Sequence, residues 1–266
     1  MNYPIVMTIA GSDSGGGAGI QADLKTITAN GGFGTSVITA LTAQNTLRVN
    51  SIMPVPIDFI EKQFRSITDD FNVQALKTGM LHNADVIDVV YKCLETSDIP
   101  HYVLDPVMIA TSGDKLILED TVKALKERLI PIATIITPNL AEAATLLERP
   151  ITTLPEMEQA ANDLLAFGSD AVLVKGWKYV DDLGINMICD ILVRVNAELP
   201  TIYNKQMSLV NDFHGTGCTL SAAIATHLAS GLSIRDAVTE AEKYMKNVIS
   251  RSEEHRIGTG CRALLH

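Results

Sequence analysis

The chain has 266 residues, 47% hydrophobic, 20% charged and 5% aromatic, which excludes an unfolded polar chain and supplies enough apolar side chains for a large core. With 21 Lys and Arg against 31 Asp and Glu, the formal charge is −10. Nucleic-acid backbones and anionic membranes are repelled by such a chain unless a local basic patch intervenes, and no such patch stands out.

In chain order, short apolar and β-branched runs alternate with longer helical patterns. The expected strands are Ile5–Ala10, Ser36–Leu41, Val73–Thr78, Tyr102–Asp105, Thr134–Thr137, Ala171–Lys175, Met187–Val193 and Met207–Asn211. Between them fall helices near Gly19–Ala29, Ile57–Asp69, Ala84–Glu95, Asp120–Leu129, Leu140–Leu147, Pro155–Phe167, Thr219–Ala229 and Ile234–Ser250. This alternation implies an α/β fold with a mostly parallel sheet, because parallel strands need crossover connections and helices then cover both faces. No linker-like stretch interrupts it, so one domain is expected over 1–266. The opening Met1-Asn2-Tyr3-Pro4 has no basic segment, and no apolar run reaches the roughly 18 residues of a membrane span. A cytoplasmic, soluble protein without nucleic-acid or membrane partners is expected. Cys93, Cys189, Cys218 and Cys261 form no C-x-x-C pair, so reduced thiols are expected.

In such sheets ligands sit beyond the carboxyl ends of the strands, and there the chain is rich in glycine and short polar residues. Gly215-Thr216-Gly217-Cys218-Thr219 opens a helix. A Gly-rich turn at a helix start aims several N–H groups at one spot and favours a phosphate, although a tight turn before a well-packed helix explains it equally. Cys218 in that first turn is expected to have a stabilised thiolate and to act as a base, whereas Cys93 and Cys189 read as buried hydrophobes. Gly15-Gly16-Gly17-Ala18-Gly19 can bring backbone close to a ligand, and four glycines exceed what one turn requires. Asp105, with no basic neighbour in sequence, could hold a metal, position a substrate, serve as a base or cap a turn. Asn139 and Glu142 share one face of a first helical turn, which suits water-mediated Mg2+ and equally suits a capping box. Lys175, before Gly176, pairs with phosphate oxygens or snorkels to solvent. The six histidines show neither paired spacing nor a carboxylate partner motif; His214 alone sits beside the glycine turn.

Ile9 to Thr26, Thr42-Ala43-Gln44-Asn45-Thr46, Lys77-Thr78-Gly79-Met80-Leu81, Asp105-Pro106-Val107-Met108, Thr137 to Ala143, Val174-Lys175-Gly176 and His214 to Ala223 occur in one order. Together they resemble the hydroxymethylpyrimidine/phosphomethylpyrimidine kinases of thiamine biosynthesis, nearly end to end. That resemblance implies a ribokinase-like three-layer sandwich and a homodimer. It implies ATP and Mg2+, and phosphorylation of 4-amino-5-hydroxymethyl-2-methylpyrimidine and its monophosphate. By the same resemblance Gln44 meets the aminopyrimidine, Met80 and Val107 line the ring, and Gly11, Asp23 and Asp105 lie near it. Asn139, Glu142, Lys175 and Thr216 meet the nucleotide, with Asp105 and Glu142 toward the metal. Gly215 and Gly217 hold the moving phosphoryl group, and Cys218 deprotonates the alcohol. Trp177-Lys178 stands where the family usually has Gly-His, Thr78 where Ile is usual, and the tail around Cys261 departs from the family's ending. A pyridoxine or pyridoxal kinase is the close alternative, although related pyridoxal kinases carry a second Cys where this chain has Ala110. A non-catalytic pyrimidine sensor and a nucleotide-dependent hydratase are more distant ones. The stretch Ala110–Leu116 is expected to be a loop over the site.

Overall fold

The structure, a computed structural model, describes residues 3–108, 119–208, 213–253, 255 and 257–266. The first half of the chain forms β1 (Ile5–Asp13), α1 (Gly19–Ala29), β2 (Phe33–Gln44), β3 (Val49–Pro54), α2 (Ile57–Thr68), β4 (Ala75–Thr78), α3 (Ala84–Glu95) and β5 (His101–Leu104). After α4 (Glu119–Ala124), which widens into a π-type turn at Leu125–Leu129, come β6 (Ile135–Ile136), α5 (Leu140–Leu147), α6 (Leu154–Leu165), β7 (Ala171–Val180) and β8 (Asn186–Arg194). The chain then runs through β9 (Thr201–Gln206), β10 (Phe213–His214), α7 (Thr216–Ala229), α8 (Ile234–Ser252) and β11 (Arg262–Ala263).

Among the described residues, nine strands form one sheet in the order β3-β2-β1-β4-β5-β6-β7-β8-β9. The six from β2 to β7 are mutually parallel, and β3, β8 and β9 add antiparallel at the two edges. The α/β expectation therefore holds. β3 and β9 were not expected from sequence: both lie at edges, β3 exposing two of every three side chains and β9 every second one. Of the strand expected at Met207–Asn211, Met207 and Ser208 follow the end of β9, and the remainder lies outside the described residues. Ala110–Leu116 also lies outside them.

Alternation along the strands sorts the core into two layers. Met7, Ile9, Leu76, Leu104, Ile136, Val172 and Val174 face α2, α3, α5 and α6. Val6, Ala75, Val103, Ile135, Ala171 and Leu173 face α7 and α8, whose Ile224, Leu228, Val238 and Val248 complete that side. Two residues further along, this second face turns polar on strand after strand: Val6 leads to Thr8, Ala75 to Lys77, Val103 to Asp105, Ile135 to Thr137 and Leu173 to Lys175. A polar row thus crosses the sheet at its carboxyl end, near the start of α7.

Candidate active site

A cavity of about 390 Å³ opens above that row. Gly11, Gln44, Met80, Asp105, Val107, Asn139, Glu142, Lys175, Gly215, Thr216, Gly217 and Cys218 all line it. Asp23 does not, so it is near the cavity, where its charge acts on the wall residue Cys218, without the place in the lining that a substrate contact needs. Its carboxylate is fully buried beside Lys77, which reaches both of its oxygens at 2.9 Å, and Thr8 donates to it at 2.6 Å. Burial raises the Asp23 carboxyl, with Lys77 and Thr8 opposing. Burial disfavours the Lys77 charge, but Asp23, Cys218 and Asp105 more than compensate and hold it protonated.

One end of the cavity is built by β2 and β3. Thr42 Oγ1 donates to Ser12 O at 2.9 Å and lies 3.3 Å from Gln44 Oε1. Gln44 pairs with Val49 and Thr42 with Ile52, while a bulge at Asn50 puts Val49 and Ile52 on one face. Both line the wall, and the broken alternation hid them from sequence. Gln44 Nε2 also lies 3.0 Å from His214 Nε2, which in turn lies 3.1 Å from Asp13 Oδ2. His214 thus has the carboxylate partner that its sequence neighbourhood lacked.

The glycine loop differs from expectation. Its N–H groups turn inward: Gly15 donates to Asp13 Oδ1 at 2.8 Å, and Gly17 and Ala18 donate to Asp13 Oδ2 at 3.0 and 2.9 Å. Burial alone would raise the Asp13 carboxyl, but His214 and these N–H groups outweigh it and hold it below the usual range. Geometry accounts for two of the glycines: Gly19 has φ +57° and a Cβ there would fall 2.2 Å from Gly11 O; Gly16 has φ +74°. The same packing holds Gly215 (φ +88°), where a Cβ would meet Gly17 O at 1.8 Å.

The other end is charged. Asp105, 3% exposed, pairs with Lys175 Nζ at 3.3 Å and accepts from Thr137 Oγ1 at 3.1 Å and Ser221 Oγ at 3.4 Å. Lys175 therefore points into the cavity and not to solvent, and Asp105 has the basic partner that sequence neighbours did not offer. Asn139 and Glu142 form the capping box: Asn139 N–H donates to Glu142 Oε2 at 2.8 Å, and Glu142 N–H to Asn139 Oδ1 at 2.9 Å. Burial, then the Asp105 charge, pushes the Glu142 carboxyl up to about 7, against Lys175 and the N–H groups of Asn139 and Met108. Burial lowers Lys175, but Asp105 and Glu142 hold it protonated. No group of three or more His, Cys, Asp or Glu that could hold a metal occurs among the described residues.

The expected low thiol pKa of Cys218 is overturned. Its first-turn position holds, yet burial pushes the thiol up to about 11; Lys77 and the Gly19 N–H pull it down, Asp23 and Asp105 push it further up. Burial outweighs the pull of Lys77 and of the Gly19 N–H here. Cys261 lies elsewhere, its Sγ 3.0 Å from Thr46 O.

Residues 13–264 match a family model described as phosphomethylpyrimidine kinase. A hydroxymethylpyrimidine/phosphomethylpyrimidine kinase of Streptomyces coelicolor is 41% identical over 247 residues, 93% of this chain and 89% of that protein. A crystal structure of phosphomethylpyrimidine kinase from Clostridium difficile 630 superposes with TM-score 0.80 and 38% identity, covering 92% of this chain and 99% of that one. An ADP complex of Bacillus subtilis pyridoxal kinase gives TM-score 0.88 at 32% identity, over 100% and 98% of the two chains. No helix of the described residues is long and apolar enough to cross a membrane.

Proposed function

The chain belongs to the phosphomethylpyrimidine kinase family, and from that premise we infer that it transfers a phosphoryl group from ATP to 4-amino-5-hydroxymethyl-2-methylpyrimidine and then to the monophosphate. The observation that carries this reading is that one cavity joins an amide fixed for ring recognition, Gln44, to a lysine and a helix-start turn fit for phosphates, Lys175 and Gly215–Cys218. An amide both donates and accepts, which matches the edge of an aminopyrimidine. Met80 and Val107 supply the apolar faces of the ring site.

Phosphoryl transfer asks little covalent work of a protein: in-line placement and neutralised oxygens. The start of α7 lines the cavity, and its first-turn N–H groups would hold the moving group. A Cβ on Gly217 would sit 3.5 Å from Asp105 Oδ2 and 3.7 Å from Lys175 Nζ, in the space that group needs. Asp105 and Glu142 place two carboxylates against one ammonium, and the Glu142 carboxyl is raised first by burial and then by the Asp105 charge that Lys175 does not fully offset. Hard oxygen donors of this kind fit Mg2+, which binds through one or two carboxylates plus phosphate oxygens; bound there, it would neutralise the nucleotide phosphates. Cys218 takes the alcohol proton as its minor thiolate form, so transfer accelerates with pH.

The pyridoxal alternative shares the fold, but the higher identities lie with the pyrimidine kinases. Comparing kcat/KM for the hydroxymethylpyrimidine and for pyridoxal tests the reading. A ratio favouring the pyrimidine, lost in Gln44→Leu while the KM for ATP stays constant, is expected; a ratio favouring pyridoxal overturns it.

A further inference from the structure

The polar row across the sheet does not end at Lys175. On β8, which runs antiparallel to β7, Leu192 faces α7 and α8 and Asp190 continues that face, 2% exposed. Val174 pairs with Ile191 and Trp177 with Cys189, so Lys175 and Gly176 together oppose Asp190: β7 bulges immediately beside its lysine. Gly176 has φ +97° there, and a Cβ would meet nothing within 4 Å, so conformation and not space calls for glycine. A bulge takes an N–H out of the ladder, and a buried unpaired donor is costly. Here Gly176 N–H donates to Asp190 Oδ1 at 2.7 Å. The other oxygen of Asp190 takes Lys205 Nζ at 2.6 Å, and Lys205 also donates to Glu242 Oε2 on α8 at 2.8 Å. None of these three side chains lines the cavity.

We propose that Asp190 is a positioning residue for the nucleotide end of the site: it anchors the Gly176 N–H and thereby fixes the backbone from which Lys175 reaches Asp105. Lys205 supplies the other half of the arrangement. Asp190 and Lys175 lie on one face of neighbouring strands, and the Asp190 charge acts on the Lys175 ammonium. Lys205, by neutralising Asp190, lets that carboxylate hold the bulge without drawing Lys175 out of the cavity. Glu242 completes the set: burial and then Asp190 push its carboxyl up to about 7, against Lys205. The inference rests on the reading that Lys175 meets the nucleotide phosphates.

Steady-state kinetics with ATP and the hydroxymethylpyrimidine separate the two claims. Asp190→Leu removes the acceptor, and Asp190→Ala, which needs less room, is made beside it so that one folded variant is in hand. Either is expected to raise the KM for ATP about 10- to 100-fold with the KM for the pyrimidine unchanged. Asp190→Asn keeps an oxygen for Gly176 N–H and is expected to restore the KM for ATP to within about twofold of the parent. Lys175→Met is the reference for the underlying reading and raises the same KM. If Lys175→Met raises it while Asp190→Leu and Asp190→Ala do not, the positioning role is wrong and the nucleotide reading stands. If Asp190→Asn is as impaired as Asp190→Leu, the anchor is not the hydrogen bond to Gly176, and the proposal falls. If Lys175→Met leaves the KM for ATP unchanged, both fall.

Discussion

Replacing Glu142 by Gln is expected to stabilise the protein and to impair it. Glu142 is 5% exposed and its carboxyl titrates near 7, against an ordinary value of 4.5. Burial and the neighbouring Asp105 charge make its ionisation unfavourable in the folded state. Between those two pH values the folded protein holds a proton that the unfolded chain has released. The contribution of Glu142 to stability is therefore greatest below about pH 4.5, falls as pH rises toward about 7, and is level above that. Integrated over the interval, the buried carboxylate costs about 3 kcal/mol at pH 8 and about 1 kcal/mol at pH 5. Gln keeps an oxygen to accept the Asn139 N–H at the start of α5 and removes the charge. Urea unfolding at the two pH values should show Glu142→Gln more stable than the parent by up to that difference at pH 8, with the gap shrinking at pH 5. Turnover should fall about tenfold or more, because the site loses one of the carboxylates fit for Mg2+. A variant no more stable than the parent at pH 8, or a gap independent of pH, would refute the reasoning.

Three further outcomes are expected. Cys218→Ala should lower kcat by about 10²- to 10⁴-fold, the worth of a general base, with both KM values close to the parent; turnover near the parent's would remove the role. Alkylation of Cys218 by iodoacetamide, followed by peptide mass spectrometry, should rise with pH without levelling below about pH 10, since burial holds the thiol near 11; a plateau near neutrality contradicts this. Lys77→Met strands the buried Asp23 carboxylate and should cost about 3–5 kcal/mol in denaturant unfolding. Adding Asp23→Asn should recover most of it, and equal losses in the single and double variants would show that the ion pair is not the cause.

Much of this architecture is legible in the residues. α1, α3 and α5 run as expected because apolar spacing agrees with clear starts, Asn83 and Asn139 capping the latter two. The glycine turns and the ends of the parallel strands announce the cavity, since backbone there has to approach a ligand or another loop. What sequence hid was made by distance or irregularity. Asp13 and His214 are 201 residues apart, and Lys77 and Asp23 are 54 apart. No local pattern joins them, although the apolar-x-polar step on successive strands is a signal that singles out Lys77. Val49 and Ile52 reach one wall through a bulge that period-two reasoning does not anticipate. Cys218 departs from expectation because of its surroundings: burial, with Asp23 and Asp105 nearby, raises the thiol further than Lys77 and the Gly19 N–H lower it.

The most direct test of the account is mass spectrometry of the products formed from Mg-ATP and 4-amino-5-hydroxymethyl-2-methylpyrimidine, with pyridoxal and pyridoxine incubated in parallel. The account predicts the pyrimidine monophosphate followed by its diphosphate, formed in preference to any vitamin B6 phosphate. Phosphorylated pyridoxal alone, or no phosphorylated product from any of the three, would contradict it.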